Sequence, residues 1–308
     1  MLKKWLTEAK EDGGLAHLAG KTKDGIVALT KTVFEQALLQ KVISEVPTHE
    51  MEVPEYDQEP PDPFDMDEVN RILESRTPDR EQELNIFGFM CFTGLAVSEA
   101  SGLAYEDIDF LKWTAEIKVI RNDKEEWRVP KVKKRQRVIQ IPTLARKFIL
   151  EQMNHTFDDV PETCVVKQRL ATDKPKVMKR VLVFRNFRTN KPCFEGNLRN
   201  WWGRFLKRIG VRHRGFNNGR HTFASQAITH GLPTNWIINQ LGHSSERMLR
   251  KHYGKIINKD MPRFDNVFSE ALEEKVICKG DTLTNGVTAP NMPLGKSLAQ
   301  ENSAKSTC

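Results

Sequence analysis

Cysteine is scarce in this 308-residue sequence, and its five residues are scattered. They show no Cys-x-x-Cys spacing, so the pattern predicts neither a metal site nor a framework of disulfide bonds. The sequence also lacks any run of about 18 apolar residues, the length that crosses a bilayer, and its first residues lack the apolar core of a signal peptide. These absences predict a cytoplasmic protein that does not contact a membrane.

Charge is unevenly distributed along the chain, although the formal net charge is only +7. Residues 49–85 contain 13 acidic and 3 basic residues, whereas residues 167–220 contain 16 basic and 2 acidic residues. A solvated charged surface would normally intersperse both signs. A basic block of this size therefore indicates a nucleic-acid partner, and we expect it to be DNA.

The composition divides the chain into five parts. Residues 1–48 contain a single amphipathic helix, and residues 49–63 are acidic and proline-rich, which is typical of a linker. Residues 64–258 have the apolar content of a folded domain. Residues 259–277 include a further amphipathic helix that needs a surface to dock on, and residues 278–308 are polar and predicted to be disordered.

Apolar periodicity in the main domain predicts an α+β fold that is mainly helical. Asp65 followed by Glu68 predicts a capping box at the first helix of the domain. After Asp109 the pattern alternates, which predicts a small three-stranded antiparallel sheet. Its strands are expected at 116–120, 127–131 and 137–142, and an apolar strand or extended segment at 181–186. Helices are expected near 24–44, 65–73, 81–92, 97–103, 198–209, 221–231 and 233–241.

Three short motifs follow one another near the C-terminus: Arg220-His221-Thr222, Leu241-Gly242-His243-Ser244 and Lys251-His252-Tyr253. Gly242 ends one predicted helix, and Ser244 or Ser245 can cap the next. Short helices at this spacing bring Arg220, His243 and Tyr253 toward one another. An arginine can hold a phosphodiester by two parallel hydrogen bonds, and a phenol beside cations can attack it.

In these motifs the chain resembles the tyrosine recombinases, the family of phage integrases and their relatives. The resemblance covers about residues 60–258 and reaches weakly back to about residue 22. It implies that Tyr253 attacks a scissile phosphate and forms a 3′-phosphotyrosyl link, while Arg220 stabilises the charge and His243 acts as donor or base. It also implies a tetramer on two DNA duplexes and a reaction that needs no metal or high-energy cofactor.

The resemblance further implies a hairpin lysine that protonates the leaving 5′-oxygen. Lys131 is the best positional match, and Lys133 is the alternative. Lys133, Lys134 and Arg135 are otherwise expected to bind DNA phosphates, and this role is also open to Lys131.

Two positions depart from the family pattern. The motif Thr-Gly-Leu-Arg-x-Ser-Glu normally supplies a second phosphate-binding arginine, but this chain has Ala96 there. Three residues before Arg220, where the family usually has His or Lys, stands Asn217, which can bind a phosphate oxygen but cannot shuttle a proton. Loss of the phosphate-binding arginine at the Ala96 position is expected to lower the rate by about 10²- to 10³-fold. Arg121 and Arg135 are both open as substitutes at the vacant site.

Two functions remain open on the sequence. The first is a site-specific DNA recombinase or integrase. The second is a degenerate or repurposed integrase that binds DNA with little or no recombination. Ala96, Asn217 and the short region 1–48, which resembles a reduced core-binding domain, favour the second function. The retained lysine, arginine, histidine and tyrosine favour the first.

Overall fold

A computed structural model describes residues 6, 8, 14–48, 62–170, 172–243, 245–247, 249 and 258–260. The α-helices are α1 (Gly20–Leu39), α2 (Met66–Glu74), α3 (Glu81–Thr93), α4 (Val97–Ser101), α5 (Thr143–Thr156), α6 (Glu195–Arg208), α7 (Asn218–Thr229) and α8 (Thr234–Leu241). The strands are β1 (Ile108–Asp109), β2 (Thr114–Ile117), β3 (Ile120–Arg121), β4 (Trp127–Arg128), β5 (Arg137–Gln140), β6 (Glu162–Val166) and β7 (Lys176–Arg180). This mainly helical α+β architecture confirms the predicted fold class.

The predicted capping box begins the main domain. The backbone N–H of Glu68 donates to Asp65 at 2.8 Å, and the backbone N–H of Asp65 donates to Glu68 at 3.1 Å. These reciprocal bonds satisfy donors that the first turn of α2 leaves without helical partners. Just before them, the backbone N–H of Phe64 donates to the Thr222 hydroxyl at 3.0 Å. The start of the domain is thereby attached to α7, the helix that carries Arg220.

Aromatic side chains fill the centre of the domain. The Trp202 ring lies 4.8 Å from the rings of Phe87 and Phe216, centroid to centroid, and Phe64 packs edge-on against the same group. The Trp202 indole N–H donates to the Arg214 carbonyl at 2.7 Å, so its one polar group is satisfied. Trp201 is also buried. Both tryptophans therefore belong to the core.

The three-stranded antiparallel sheet is present, but one predicted member is wrong. Its strand order is β1-β2-β5, whereas the segment predicted over 127–131 contributes only β4, which pairs with β3 in a separate hairpin. The Asn122 side chain closes this hairpin by accepting the backbone N–H groups of Lys124 and Glu126 at 3.0 and 2.8 Å. This local turn directs β4 back onto β3. Pro130, which has no N–H, does not extend the strand.

One helix and three strands, α5, β1, β6 and β7, lay outside the sequence predictions. Helix α5 packs against the buried helix α3, and β6 and β7 form a second antiparallel hairpin. The segment predicted as extended at 181–186 forms only isolated bridges, which join Leu182 to Ala104 and Arg185 to Pro192.

Helix α1 confirms the predicted N-terminal helix but ends earlier than expected. Lys41 adopts a left-handed φ of 56°, and the Val42 N–H donates to the Ala37 carbonyl at 2.9 Å. These features end the helix before the predicted limit at residue 44. Val27 is its one buried residue, whereas Leu29 is 67% exposed. None of the helices in the described part of the chain is long and apolar enough to cross a membrane.

Several predictions fall outside the described residues. These are most of the linker (49–61), the helix expected to carry Tyr253, the docking helix within 259–277 and the tail 278–308.

Candidate active site

Arg220 is the centre of the candidate site, and it is 3% exposed on the first turn of α7. Its Nη1 donates to the Gly94 carbonyl at 2.7 Å and to Glu99 Oε2 at 3.3 Å. Its Nη2 donates to the Leu241 carbonyl at 2.6 Å. A guanidinium has five N–H groups, so Nε–H and one Nη2–H have no partner among the described residues. Arg220 is therefore held rigidly and keeps two donors for a ligand.

Glu99 is the acidic counterpart of this arginine, and it is 1% exposed. Arg137 forms a two-point pair with it, from Nη1 to Oε1 at 2.9 Å and from Nη2 to Oε2 at 3.1 Å. Burial acts to raise the pKa of Glu99, but the guanidinium groups of Arg220 and Arg137 outweigh it and hold that pKa below its usual value. The negative charge of one carboxylate thus partly compensates the positive charges of two buried arginines.

His243 follows the C-terminus of α8, as its motif predicted. Gly242 ends the helix with a left-handed φ of 68°, and the His243 N–H donates to the Ile238 carbonyl at 3.1 Å. The same turn is attached to the sheet, because Arg137 Nε donates to the Gln240 carbonyl at 3.0 Å. Arg220 and Arg137 therefore both fix the helix end that carries His243.

The Gln240 side chain adds a second attachment of α8 to β5. Its amide oxygen accepts the Gln140 N–H at 3.1 Å, and its amide nitrogen donates to the carbonyls of Gln140 at 2.7 Å and Thr93 at 3.1 Å. Gln240 is 3% exposed, so these bonds satisfy a buried amide.

A cleft of about 520 Å³ connects Glu99 and His243 with the hairpin lysine, whereas Arg220 lies behind Glu99 and does not line the cleft. Glu99, Lys131, Arg135 and His243 line it, together with Ser98, Arg128 and Gly242. Lys133 and Lys134 are exposed in the neighbouring short 3-10 helix and do not line the cleft. Of the two lysines considered for proton transfer, Lys131 alone thus faces the space beside His243.

Ala96 and Asn217, the two positions that depart from the family pattern, lie close together where the start of α4 meets the start of α7. The Ala96 N–H donates to Glu99 Oε2 at 3.0 Å, and the next N–H, of Val97, donates to Asn217 Oδ1 at 3.1 Å. The Asn217 oxygen is thus already engaged with the backbone. Its amide nitrogen is the part of the side chain that can donate to an anion.

Of the two arginines considered for the vacant site, Arg121 is committed elsewhere. It is paired with Glu125 at 3.0 Å, and its guanidinium lies 4.7 Å from the centre of the Trp127 ring. It does not line the cleft, whereas Arg135 does.

The nucleophile of the sequence prediction, Tyr253, lies outside the described residues. The described part of the chain therefore brings together Lys131, Arg220 and His243, with Ala96 and Asn217 beside them. Sequence reasoning missed Glu99, Arg137 and Gln240. Glu99 had a signal, since it belongs to the same Thr-Gly-Leu motif as Ala96, but the partners of Arg137 and Gln240 are distant in sequence and had none.

The model of the phage integrase family matches residues 63–258, which is more than half of the chain. The prophage integrase IntR of Escherichia coli K12 is 26% identical over 247 residues, which cover 77% of this chain and 58% of that protein. IntQ of the same strain, provisionally named a defective protein, is 30% identical over 209 residues, 63% of this chain and 50% of that protein. The chain thus spans little more than half the length of these relatives.

Solved structures show the same fold. The integrase of transposon Tn1549, in complex with circular intermediate DNA, superposes with a TM-score of 0.65 at 19% identity, covering 87% of this chain and 83% of that one. A lambda integrase dimer bound to a core site gives a TM-score of 0.56 at 13% identity, covering 79% and 76%.

Proposed function

The chain belongs to the phage integrase family, and we propose that it is a site-specific DNA recombinase that cleaves and rejoins DNA through a 3′-phosphotyrosyl intermediate on Tyr253. The observation that carries this proposal is the single cleft shared by Lys131 and His243, whose wall residue Glu99 also binds Arg220. A basic group and an imidazole that line one space, with a preorganised arginine directly behind its wall residue Glu99, suit the handling of a phosphodiester.

Arg220 binds the scissile phosphate in this proposal. Three of its N–H groups are engaged with protein acceptors, and the other two can form a two-point contact with non-bridging oxygens. Because the side chain is already fixed, little reorganisation accompanies the build-up of negative charge in the transition state.

Cleavage proceeds by attack of the Tyr253 oxygen on phosphorus. A bond forms between them, the bond to the 5′-oxygen breaks, and the phenolic proton passes to His243 or solvent. Lys131 gives a proton to the leaving 5′-oxygen, which departs as a hydroxyl group. Attack by a 5′-hydroxyl of a partner strand reverses these steps, so the phosphodiester energy is conserved and the reaction consumes no cofactor.

The remaining cations of the hairpin serve DNA binding. Lys133 and Lys134 are exposed and lie in the turn after Lys131. Phosphate contacts of this kind position the protein without reading sequence. Solved structures similar to this chain include an integrase bound to DNA and a lambda integrase tetramer on a Holliday junction. They support the proposal that double-stranded DNA is the substrate and that the active form is a homotetramer. We further propose that the protein acts in the cytoplasm.

A DNA-binding protein without strand cleavage is the second candidate. The observation that favours it is the absence of an arginine at Ala96, together with the engagement of Asn217 Oδ1 by the backbone. The two candidates differ in one measurable property, which is the formation of a covalent link to DNA.

A suicide DNA substrate tests the proposal. It carries a nick close to the cleavage site, so that the short fragment with the 5′-hydroxyl dissociates and the covalent protein–DNA link cannot be reversed. The wild-type protein should form a covalent adduct, and Tyr253→Phe should form none while binding DNA within about 1 kcal/mol of wild type, since one hydroxyl is removed. Tyr105→Phe is the matched control. Its hydroxyl is bonded to Thr156 at 2.9 Å, and burial raises the pKa of Tyr105 to about 12, so it is no nucleophile and its loss should leave the adduct.

Two results would contradict the proposal. An adduct that persists in Tyr253→Phe would remove the assignment of the nucleophile. DNA binding by the wild type without any adduct would favour the second candidate.

A further inference from the structure

The candidate site has too few phosphate donors on its α4 side. Ala96 offers no side-chain donor, and Asn217 offers only its amide nitrogen because its oxygen accepts the Val97 N–H. Arg220 keeps two N–H groups for the ligand. The transition state of phosphoryl transfer spreads negative charge over the non-bridging oxygens, so a second cation within reach would stabilise it.

Arg137, although adjacent, cannot be that cation. Its guanidinium donates to both oxygens of Glu99, to the Gln240 carbonyl and to the Arg135 carbonyl. Four of its five N–H groups are therefore occupied by protein acceptors. Arg137 positions Glu99 and the end of α8, and it has little capacity left for a phosphate.

Arg135 has the required combination of a fixed backbone and an uncommitted side chain. Its carbonyl accepts Arg137 Nη1 at 2.9 Å, and the same Nη1 donates to Glu99 Oε1 at 2.9 Å. The backbone of Arg135 is thus tied to the cluster that holds Arg220. Its half-buried side chain lines the cleft beside Lys131 and His243 and has no ion pair or hydrogen bond with any described residue.

We propose that Arg135 is a catalytic residue that binds a non-bridging oxygen of the scissile phosphate and replaces the guanidinium missing at Ala96. This inference rests on the proposed recombinase function. It assigns the second phosphate-binding cation to the segment that carries Lys131, so one stretch of chain supplies both the proton donor and a charge-stabilising group.

Arg128 is the competitor within the cleft. It also lines the space, and its Nε is buried without a partner among the described residues. Its backbone, however, pairs with Ile120 and forms a bridge to Lys167, so it is fixed to the two hairpins rather than to the Glu99 cluster. The test must therefore compare these two arginines directly.

Single-turnover cleavage of the suicide substrate provides the test, with a normal scissile phosphate and with a methylphosphonate that lacks the negative charge. Arg135→Ala should cleave the phosphate about 10²-fold more slowly than wild type. Its defect on the methylphosphonate should be much smaller, because the charge that Arg135 neutralises is absent. Arg71→Ala is the control, since this exposed arginine of α2 lies outside the cleft and should leave both rates unchanged.

Restoring the family residue provides a second measurement. Ala96→Arg should accelerate Arg135→Ala by a larger factor than it accelerates the wild type, because the two guanidiniums serve the same charge. Equal factors in the two backgrounds would show that Arg135 and position 96 act independently, and would overturn the proposal.

The other outcomes are equally decisive. Equal defects of Arg135→Ala on both substrates would indicate a positioning role and reject phosphate binding. A charge-dependent defect in Arg128→Ala, with none in Arg135→Ala, would transfer the role to Arg128. If the wild type forms no adduct with either substrate, the proposed recombinase function is wrong. If the wild type forms the adduct and Arg135→Ala forms it at the same rate, only the role of Arg135 is refuted.

Discussion

Replacement of Glu99 by glutamine tests the buried cluster most directly, because it removes one charge and almost no volume. The carboxylate accepts four hydrogen bonds, from the Ala96 N–H at 3.0 Å, twice from Arg137 at 2.9 and 3.1 Å, and from Arg220 at 3.3 Å. Glutamine offers one accepting oxygen in their place. Its NH₂ group would face arginine donors, so at least one buried guanidinium loses its partner.

The expected loss of stability follows from this geometry. Removal of one partner from a buried ion pair costs about 3 to 5 kcal/mol, because the remaining charge is left uncompensated. That is a large part of the roughly 5 to 15 kcal/mol that stabilises a typical domain. If the free energy of unfolding falls by about 2 to 3 kcal/mol per molar urea, the urea concentration at the unfolding midpoint should fall by roughly 1 to 2.5 M.

Urea denaturation followed by circular dichroism measures this shift, and Glu125→Gln is the matched control. Glu125 also pairs with an arginine at 3.0 Å, but its side chain is 54% exposed. Its replacement should therefore cost less than about 1 kcal/mol. If Glu99→Gln costs no more than Glu125→Gln, the cluster does not stabilise the fold and the reasoning is refuted.

The pH dependence gives an independent check on Glu99. Since its pKa is lower in the folded protein than its ordinary value of 4.5, its stabilising contribution is complete well above pH 4.5. The contribution is lost as the pH falls from that value through the lower, folded-state pKa. Glu99→Gln should therefore lose less stability than the wild type over this acidic interval.

Two further substitutions test the geometry around His243 and Lys131. Gly242→Ala places a Cβ 2.9 Å from Arg137 Nη1 at a φ of 68°, whereas its control Gly210→Ala places a Cβ in open space at a φ of 69°. Both variants should lose about 1 to 2 kcal/mol of folding stability, because alanine is strained in the left-handed region. Only Gly242→Ala should slow DNA cleavage. Equal cleavage rates would show that the position of Arg137 is unimportant. Lys131→Ala should slow cleavage by about 10²- to 10⁴-fold, because the leaving 5′-oxygen loses its proton donor. A substrate with sulfur at the 5′-bridging position should restore the cleavage rate, since the thiolate leaves without a proton. If Lys133→Ala shows this defect and this rescue instead, Lys133 is the proton donor.

Most helices of this fold were predictable because their signals are local. The capping box at Asp65 and the helix end at Gly242 depend on residues within one turn of each other. The strand pairing was less predictable. Alternation indicated strands between residues 116 and 142 but missed β1, β6 and β7. The partner of β4 was decided by the side-chain turn at Asn122 and not by alternation. Pairing between strands distant in sequence depends on tertiary contacts that a local pattern does not contain.

The candidate site shows the same division. Arg220 and His243 could be named as candidates because each lies in a motif, and Lys131 because it is the best positional match on the hairpin. The role of Arg137 was not predictable, since its acceptors on Glu99 and Gln240 lie 38 and 103 positions away. Likewise, the sequence could not choose between Arg121 and Arg135. The choice depends on the pairing of Arg121 with Glu125 and Trp127, which only the folded hairpin creates.

The placement of a buried acid in the proposed phosphate site has a physical reason. Arg220 and Arg137 both lie within hydrogen-bond distance of one carboxylate, and two guanidiniums so close together repel each other strongly inside a protein. Glu99 compensates that repulsion in the DNA-free protein, so in the proposed function the donors are already oriented for the phosphate. Its charge also weakens the attraction of the cluster for a second anion. In our proposal, a cation outside the cluster restores that attraction at the least cost to the fold. Arg135 has such a position, because it lines the cleft and its side chain pairs with no acid among the described residues.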